Sequence, residues 1–291
     1  MFRHPKTFIF SLIRLSKPII TLSVAFSALA GFILKAGAFK YGWFLVYVGV
    51  ILVAASSSVI NMIQEARTDA LMERTRSRPI PSGLISRFQA SVYAVILGLT
   101  GLTILWCYAA FGAALVAAIT LFWYNVVYTP LKKITPWAIL PGAVVGALPP
   151  LIGWIAAGGH VLDQKIVFLS FFFFIGQIPH FWLILLKHGK DYKNAGFPAI
   201  TDLLNPTQIA RLTFLWTVAT AVSAVLLPLF GIITHPITVL SVVVFSLALI
   251  LFFAKWPGLK QPLKVERAFL LMNMYFLWIM IAVIADSVYR G

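Results

Sequence analysis

Asn61, Glu65 and Asp69 recur at intervals of four residues, so on a continuous helix their oxygen-bearing side chains share one face. Such a set suits a hard divalent cation. Mg²⁺ in particular is usually held by one or two carboxylates together with phosphate oxygens and water. Arg74, Arg76 and Arg78 follow directly, and planar guanidinium groups match phosphate oxygens. Carboxylates followed by arginines at a helix end suggest a metal–diphosphate site. The plainer alternative is a solvated mixed-charge loop in which Glu73 pairs with Arg67 or Arg76. Two prolines in Arg78-Pro79-Ile80-Pro81-Ser82-Gly83 stiffen the connection and lean toward the site, but spacing alone does not decide.

Two further segments carry related chemistry. The chain has only eight acidic residues, so their placement is informative. One lies in Lys187-His188-Gly189-Lys190-Asp191-Tyr192-Lys193, ahead of Ala195-Gly196-Phe197-Pro198 and Asp202. An acid among lysines can complete a second metal site or sit beside a diphosphate. In Tyr128-Thr129-Pro130-Leu131-Lys132-Lys133, either lysine can reach phosphate. For both segments the alternative is that the lysines are only topology signals at a membrane edge.

The elements that must position these groups follow from composition. Of 291 residues, 61% are hydrophobic and 11% charged, and the mean hydropathy is +0.95. Soluble domains average about 45–50% apolar and about 25% charged, so a soluble protein is excluded, as is a disordered chain. A single cysteine, Cys107, excludes a disulfide framework or a cysteine-rich zinc site within one chain. The formal charge of +15 fits a membrane protein that gathers Lys and Arg on one side. No basic run interleaved with exposed aromatics argues for nucleic acid.

Apolar runs of about 20 residues cross a bilayer as helices. Nine are predicted, at 18–35, 41–62, 89–109, 111–128, 137–157, 166–186, 209–230, 236–254 and 268–286. The third and fourth nearly fuse around Phe111-Gly112, which makes eight the competing count. The runs are continuously apolar rather than alternating, so helices are expected and not a β-barrel. With nine spans and a cytoplasmic N-terminus, 19 of the 23 Lys and Arg residues fall inside, leaving Lys35, Lys40, Lys165 and Arg290 outside. Ser27-Ala28-Leu29-Ala30-Gly31 faintly resembles a signal cleavage site. The apolar run continues to Leu34, however, as a first membrane helix would.

Together the three polar segments resemble the UbiA superfamily of intramembrane prenyltransferases. Asn61 through Pro79 is similar to the family's Asn-x3-Asp-x3-Asp-x2-Met-x-Arg-Thr pattern with its further arginines. The second carrier is Tyr128–Lys132 with Thr135-Pro136-Trp137 and Gly142 through Trp154. The third is Pro179-His180-Phe181-Trp182 leading into Asp191–Pro198. Ala147–Trp154 and Pro179–Trp182 point to the heme-acting branch. Glu65 departs from the usual Asp, keeping the charge but reaching one methylene further. Pro198-Ala199-Ile200-Thr201-Asp202 departs from the Pro-Met-Leu-Pro-Val of heme-acting members. Lys187 stands where quinone-type relatives have an acid, and Arg78–Gly83 also looks like chlorophyll synthases.

The resemblance implies an all-α polytopic membrane protein, a single domain over 1–291, with nine helices around a central cavity and a cytoplasmic N-terminus. It implies farnesyl transfer from farnesyl diphosphate to the vinyl group of heme B, with Mg²⁺ as cofactor. Asn61, Glu65 and Asp69 would hold one Mg²⁺, and Asp191 a second, or else orient Lys190; Asn61, Asp69 and Asp191 count as catalytic. Arg74, Arg78, Lys132 and Lys190 would bind diphosphate oxygens, with Tyr128 donating a hydrogen bond. His180, an ionisable residue within a span, is a functional candidate that could ligate heme iron or meet a propionate. Its alternative is a histidine hydrogen-bonded between helices. The implied setting is the cell inner (plasma) membrane, or the mitochondrial inner membrane if eukaryotic, in contact with lipid and with a terminal oxidase assembly pathway. Another acceptor (a chlorin, quinone precursor or lipid) is the alternative, and a transporter or assembly factor the more distant one.

Overall fold

The computed structural model describes residues 5–198, 200–254 and 262–291, without the side chains of 5, 6, 190, 201, 206 and 262–264. The described residues form helices joined by turns and, between Asp69 and Arg87, a longer loop, with no strand among them. In order they are α1 (Pro5–Leu15), α2 (Pro18–Ala36), α3 (Trp43–Asp69), α4 (Arg87–Tyr108), α5 (Phe111–Phe122), a π-helical turn (Trp123–Tyr128) and α6 (Thr129–Leu131). There follow α7 (Ile139–Ala156), α8 (Gln164–Asn194), α9 (Pro206–Val225), α10 (Pro236–Ala254) and α11 (Pro262–Arg290). Nine are long and apolar enough to cross a membrane among the described residues, with α5 through α6 counting as one. The extended backbone of Ala110 breaks α4 from α5, which settles the choice between eight and nine.

Each membrane helix packs on the next, and α11 returns to α2, closing a ring. Inside it α2 and α7 approach closely because both present glycine. A Cβ at Gly31 would strike the Pro150 carbonyl, and one at Gly153 the Ala28 carbonyl. Small residues permit such backbone contact where lipid offers no hydrophobic drive for helix association.

Two elements differ from expectation. Residues 5–15 form a helix that the apolar-run reading did not predict, because eleven residues are too few to span a bilayer. Its Ile9, Phe10 and Ile13 are exposed while Ser11 and Leu15 are buried, an amphipathic pattern suited to a membrane interface. The sixth span runs on to Asn194, with a break in helical geometry at His188. Its last residues are polar and need no lipid, so hydropathy could not find them.

Candidate active site

At 1.5 Å per residue, the 27 residues of α3 extend about 40 Å, against a hydrocarbon core of about 30 Å. The surplus carries Asn61, Glu65 and Asp69 on one face, as their spacing requires. All three are buried, at 2%, 3% and 0% exposure. Buried carboxylates need partners, and cations from other segments supply them. Lys132 Nζ lies 2.6 Å from Glu65 Oε1, and Arg78 Nη1 lies 2.6 Å from Asp69 Oδ2. Lys17 Nζ donates to Asn61 Oδ1 at 3.0 Å. The Thr75 hydroxyl donates to the Asp69 carbonyl and folds the loop back onto the helix end.

Lys132 is the hub. Its ammonium stands over the rings of Tyr128, Tyr192 and Phe197, at 6.0, 5.8 and 5.2 Å. Burial works to lower its pKa, but the Glu65 carboxylate and the facing phenols outweigh burial, and the net shift is upward. Lys17 moves the other way. Burial, then the Arg78 charge, lowers its pKa to about 7, with Glu65 opposing. Met72 packs against Ala195 and Phe197, so the loop after α3 and the loop after α8 meet over the hub.

The predicted residues are thus partly gathered. Asn61, Glu65, Asp69, Arg78, Tyr128 and Lys132 converge, and the Tyr128 ring also packs against Phe181 at 5.8 Å. Arg74 is exposed and makes no ion pair with a described side chain. Asp191 is half-buried and likewise unpaired; no group of three or more His, Cys, Asp or Glu suited to a metal occurs among the described residues. The Lys190 side chain lies outside the described residues. Glu73 forms no ion pair with Arg67 or Arg76 among the described residues, so the solvated-loop pairing is absent there. His180 is half-buried beside Phe269 and Phe276, with Nδ1 buried and lacking a hydrogen-bond partner. A groove of 1240 Å³ opens between α1 and residues 80–87, beside these groups rather than among them.

Asn61, Glu65 and Asp69 also fit Mg²⁺. They are hard oxygen donors, and Asp69 Oδ1 is buried without a hydrogen-bond partner. Sequence reasoning missed Lys17 and Thr129. Lys17 looked like a topology signal, yet it adopts φ 47° ahead of Pro18, the sole non-glycine at positive φ among the described residues. A left-handed, pre-proline lysine is strained, and strain of this kind concentrates at functional sites.

The chain belongs to the UbiA prenyltransferase family, which matches residues 24–280. It is therefore a prenyltransferase. Among relatives, it is 42% identical over 222 residues to protoheme IX farnesyltransferase of Geobacter sulfurreducens, covering 75% of this chain and 80% of that one. It is 34% identical over 285 residues to protoheme IX farnesyltransferase of Cytophaga hutchinsonii, covering 95% and 97%. The fold is shared with a UbiA homolog from Aeropyrum pernix K1 (TM-score 0.71, 17% identity, covering 98% and 99%). A UbiA homolog from Archaeoglobus fulgidus bound to GPP and Mg²⁺ gives TM-score 0.67 at 15% identity, covering 94% and 99%.

Proposed function

We propose that this chain transfers the farnesyl group of farnesyl diphosphate to a vinyl group of protoheme IX (heme B), with Mg²⁺ required. The observation that carries this reading is the buried Asn61–Glu65–Asp69 face meeting Lys17, Arg78 and Lys132, in a chain 34–42% identical to proteins named for that reaction. Bound Mg²⁺ supplies charge neutralisation for the departing diphosphate, and Asn61, Glu65 and Asp69 would hold it.

In this reading Arg78 and Lys132 turn from their carboxylates to the diphosphate oxygens, where negative charge grows as the C1–O bond breaks. Diphosphate leaves with the bonding pair, and C1 becomes an allylic cation. The Tyr128, Tyr192 and Phe197 rings around Lys132 present negative faces that stabilise this cation. The π-electrons of the vinyl group form the new carbon–carbon bond. Water adds to the resulting side-chain cation and releases one proton, leaving a hydroxyethylfarnesyl chain. Protein side chains keep water from the first cation until the acceptor is seated. Asp191 and Lys190 would serve a second metal or the diphosphate, with Arg74 as a further phosphate contact. His180 would ligate the heme iron through its free imidazole nitrogen.

Lys17, Lys132 and Lys133 all reach the site end of α3, so a cytoplasmic N-terminus puts this end and most of the positive charge inside. The setting we assign is the plasma membrane of a bacterium, or the mitochondrial inner membrane of a eukaryote, with the product passing to terminal oxidase assembly. The test is incubation of the purified chain in detergent with heme B, farnesyl diphosphate and Mg²⁺. Mass spectrometry should find farnesylated heme only when the metal is present. Farnesyl diphosphate bound without product would move the acceptor elsewhere, and neither binding nor product would reject the reading.

A further inference from the structure

The π-helical turn Trp123–Tyr128 places Thr129 in an unusual position. Tyr124 O accepts the Thr129 backbone N–H and also the Thr129 hydroxyl, at 2.8 Å. That bond consumes the only hydroxyl proton, so Thr129 Oγ1 offers just lone pairs to its other neighbour. The neighbour is Asn61, whose Nδ2 donates to Thr129 Oγ1 at 3.2 Å. Both residues are buried, Thr129 at 1% and Asn61 at 2% exposure, away from bulk water. An Asn61 flipped the other way would set its carbonyl oxygen against Thr129 lone pairs. The amide therefore has one orientation, with Oδ1 turned toward the Lys17 ammonium.

We infer that Thr129 is a positioning residue, which fixes the Asn61 amide so that its oxygen faces the metal–diphosphate site. The inference rests on Asn61 being a metal ligand, as proposed above. Thr129 touches neither metal nor substrate. It acts through a hydrogen-bond relay, Asn61 to Thr129 to Tyr124, and the π-turn gathers both Thr129 donors on one carbonyl. Such turns are rare and occur frequently at functional sites.

Mn²⁺ binding to the full chain, followed by electron paramagnetic resonance with a non-reactive thiodiphosphate analogue of farnesyl diphosphate, tests this without turnover. Thr129→Val keeps the shape but removes the acceptor, and should weaken Mn²⁺ binding about tenfold. Thr129→Ser should restore the wild-type constant. In an Asn61→Asp background both terminal atoms are oxygens and there is no orientation to set, so adding Thr129→Val should change affinity less than twofold. Equal weakening in both backgrounds would show a merely structural role and overturn the inference. So would unchanged affinity in Thr129→Val alone, while wild type binds and Asn61→Ala does not. Wild type failing to bind Mn²⁺ would overturn the metal reading and this inference with it.

Discussion

Lys132 Nζ and Glu65 Oε1 stand 2.6 Å apart, joining the turn after the π-helix to the end of α3. Arg78 does the same for Asp69. The site is thus held by the charges that the proposed chemistry redeploys. Each carboxylate already has a cation, and three cations face two acids. Metal and diphosphate arriving together can exchange partners with these pairs and leave no charge bare. Either ligand alone would strand one side of a pair.

Lys132→Met should therefore damage more than phosphate binding. Removing one member of a buried pair costs about 3–5 kcal/mol because the other is left uncompensated. The expected result is a lower unfolding temperature and at least a tenfold higher KM for farnesyl diphosphate. Adding Glu65→Gln should recover the unfolding temperature but not the KM. Thermal unfolding beside product mass spectrometry reads both, and stability that the second change fails to restore would count against the pair.

Asp69→Asn removes the charge and one of the two carboxylate oxygens while keeping the volume. Turnover should fall at least about a hundredfold, the order seen when a group that stabilises transition-state charge is lost. The variant should still insert and elute as a single species on gel filtration. Full activity with Mg²⁺ still required would remove Asp69 from the site.

His180→Ala bears on the acceptor alone. The optical spectrum of added heme B should change and its affinity weaken about tenfold, with the thiodiphosphate analogue bound as in wild type. A heme spectrum indifferent to this change would return His180 to a packing role among Phe269 and Phe276.

Gly153→Leu tests the helix crossing that carries the ring. The new side chain meets the α2 backbone at Ala28, which cannot rotate aside. Overpacking a core costs about 1–3 kcal/mol when side chains can adjust, and a backbone clash should exceed that. Loss of a monodisperse species in detergent is expected, and wild-type behaviour would mean that α2 and α7 separate freely.

Much of this was legible from spacing. The four-residue interval of Asn61, Glu65 and Asp69 required one face, and α3 supplies it. Apolar length located nine spans because the lipid phase imposes that length. What escaped has physical reasons. The polar end of α8 continues a helix outside lipid, where hydropathy is silent. Lys17 reads as one more positive charge at a helix start, and only the fold brings its ammonium to Asn61. The π-turn has no periodicity signal, since a single wide turn barely alters the pattern of apolar residues. Pairing between Lys132 and Glu65 is a tertiary fact that neither segment announces alone.

The relay from Asn61 to Thr129 also sets an order of events during synthesis. Arg78 follows Asp69 by nine residues, so that acid can be neutralised almost as soon as α3 emerges. Thr129 arrives 68 residues after Asn61, and Lys132 just behind it. At about 5–20 residues per second, that is a wait of about 3–14 seconds. For that interval Glu65 lacks its ion-pair partner, and only Lys17, made before it, and Arg78, made soon after, offset its charge. Placing the acids on the surplus length of α3, at a helix end rather than at mid-bilayer, keeps them where partners made later can still reach them.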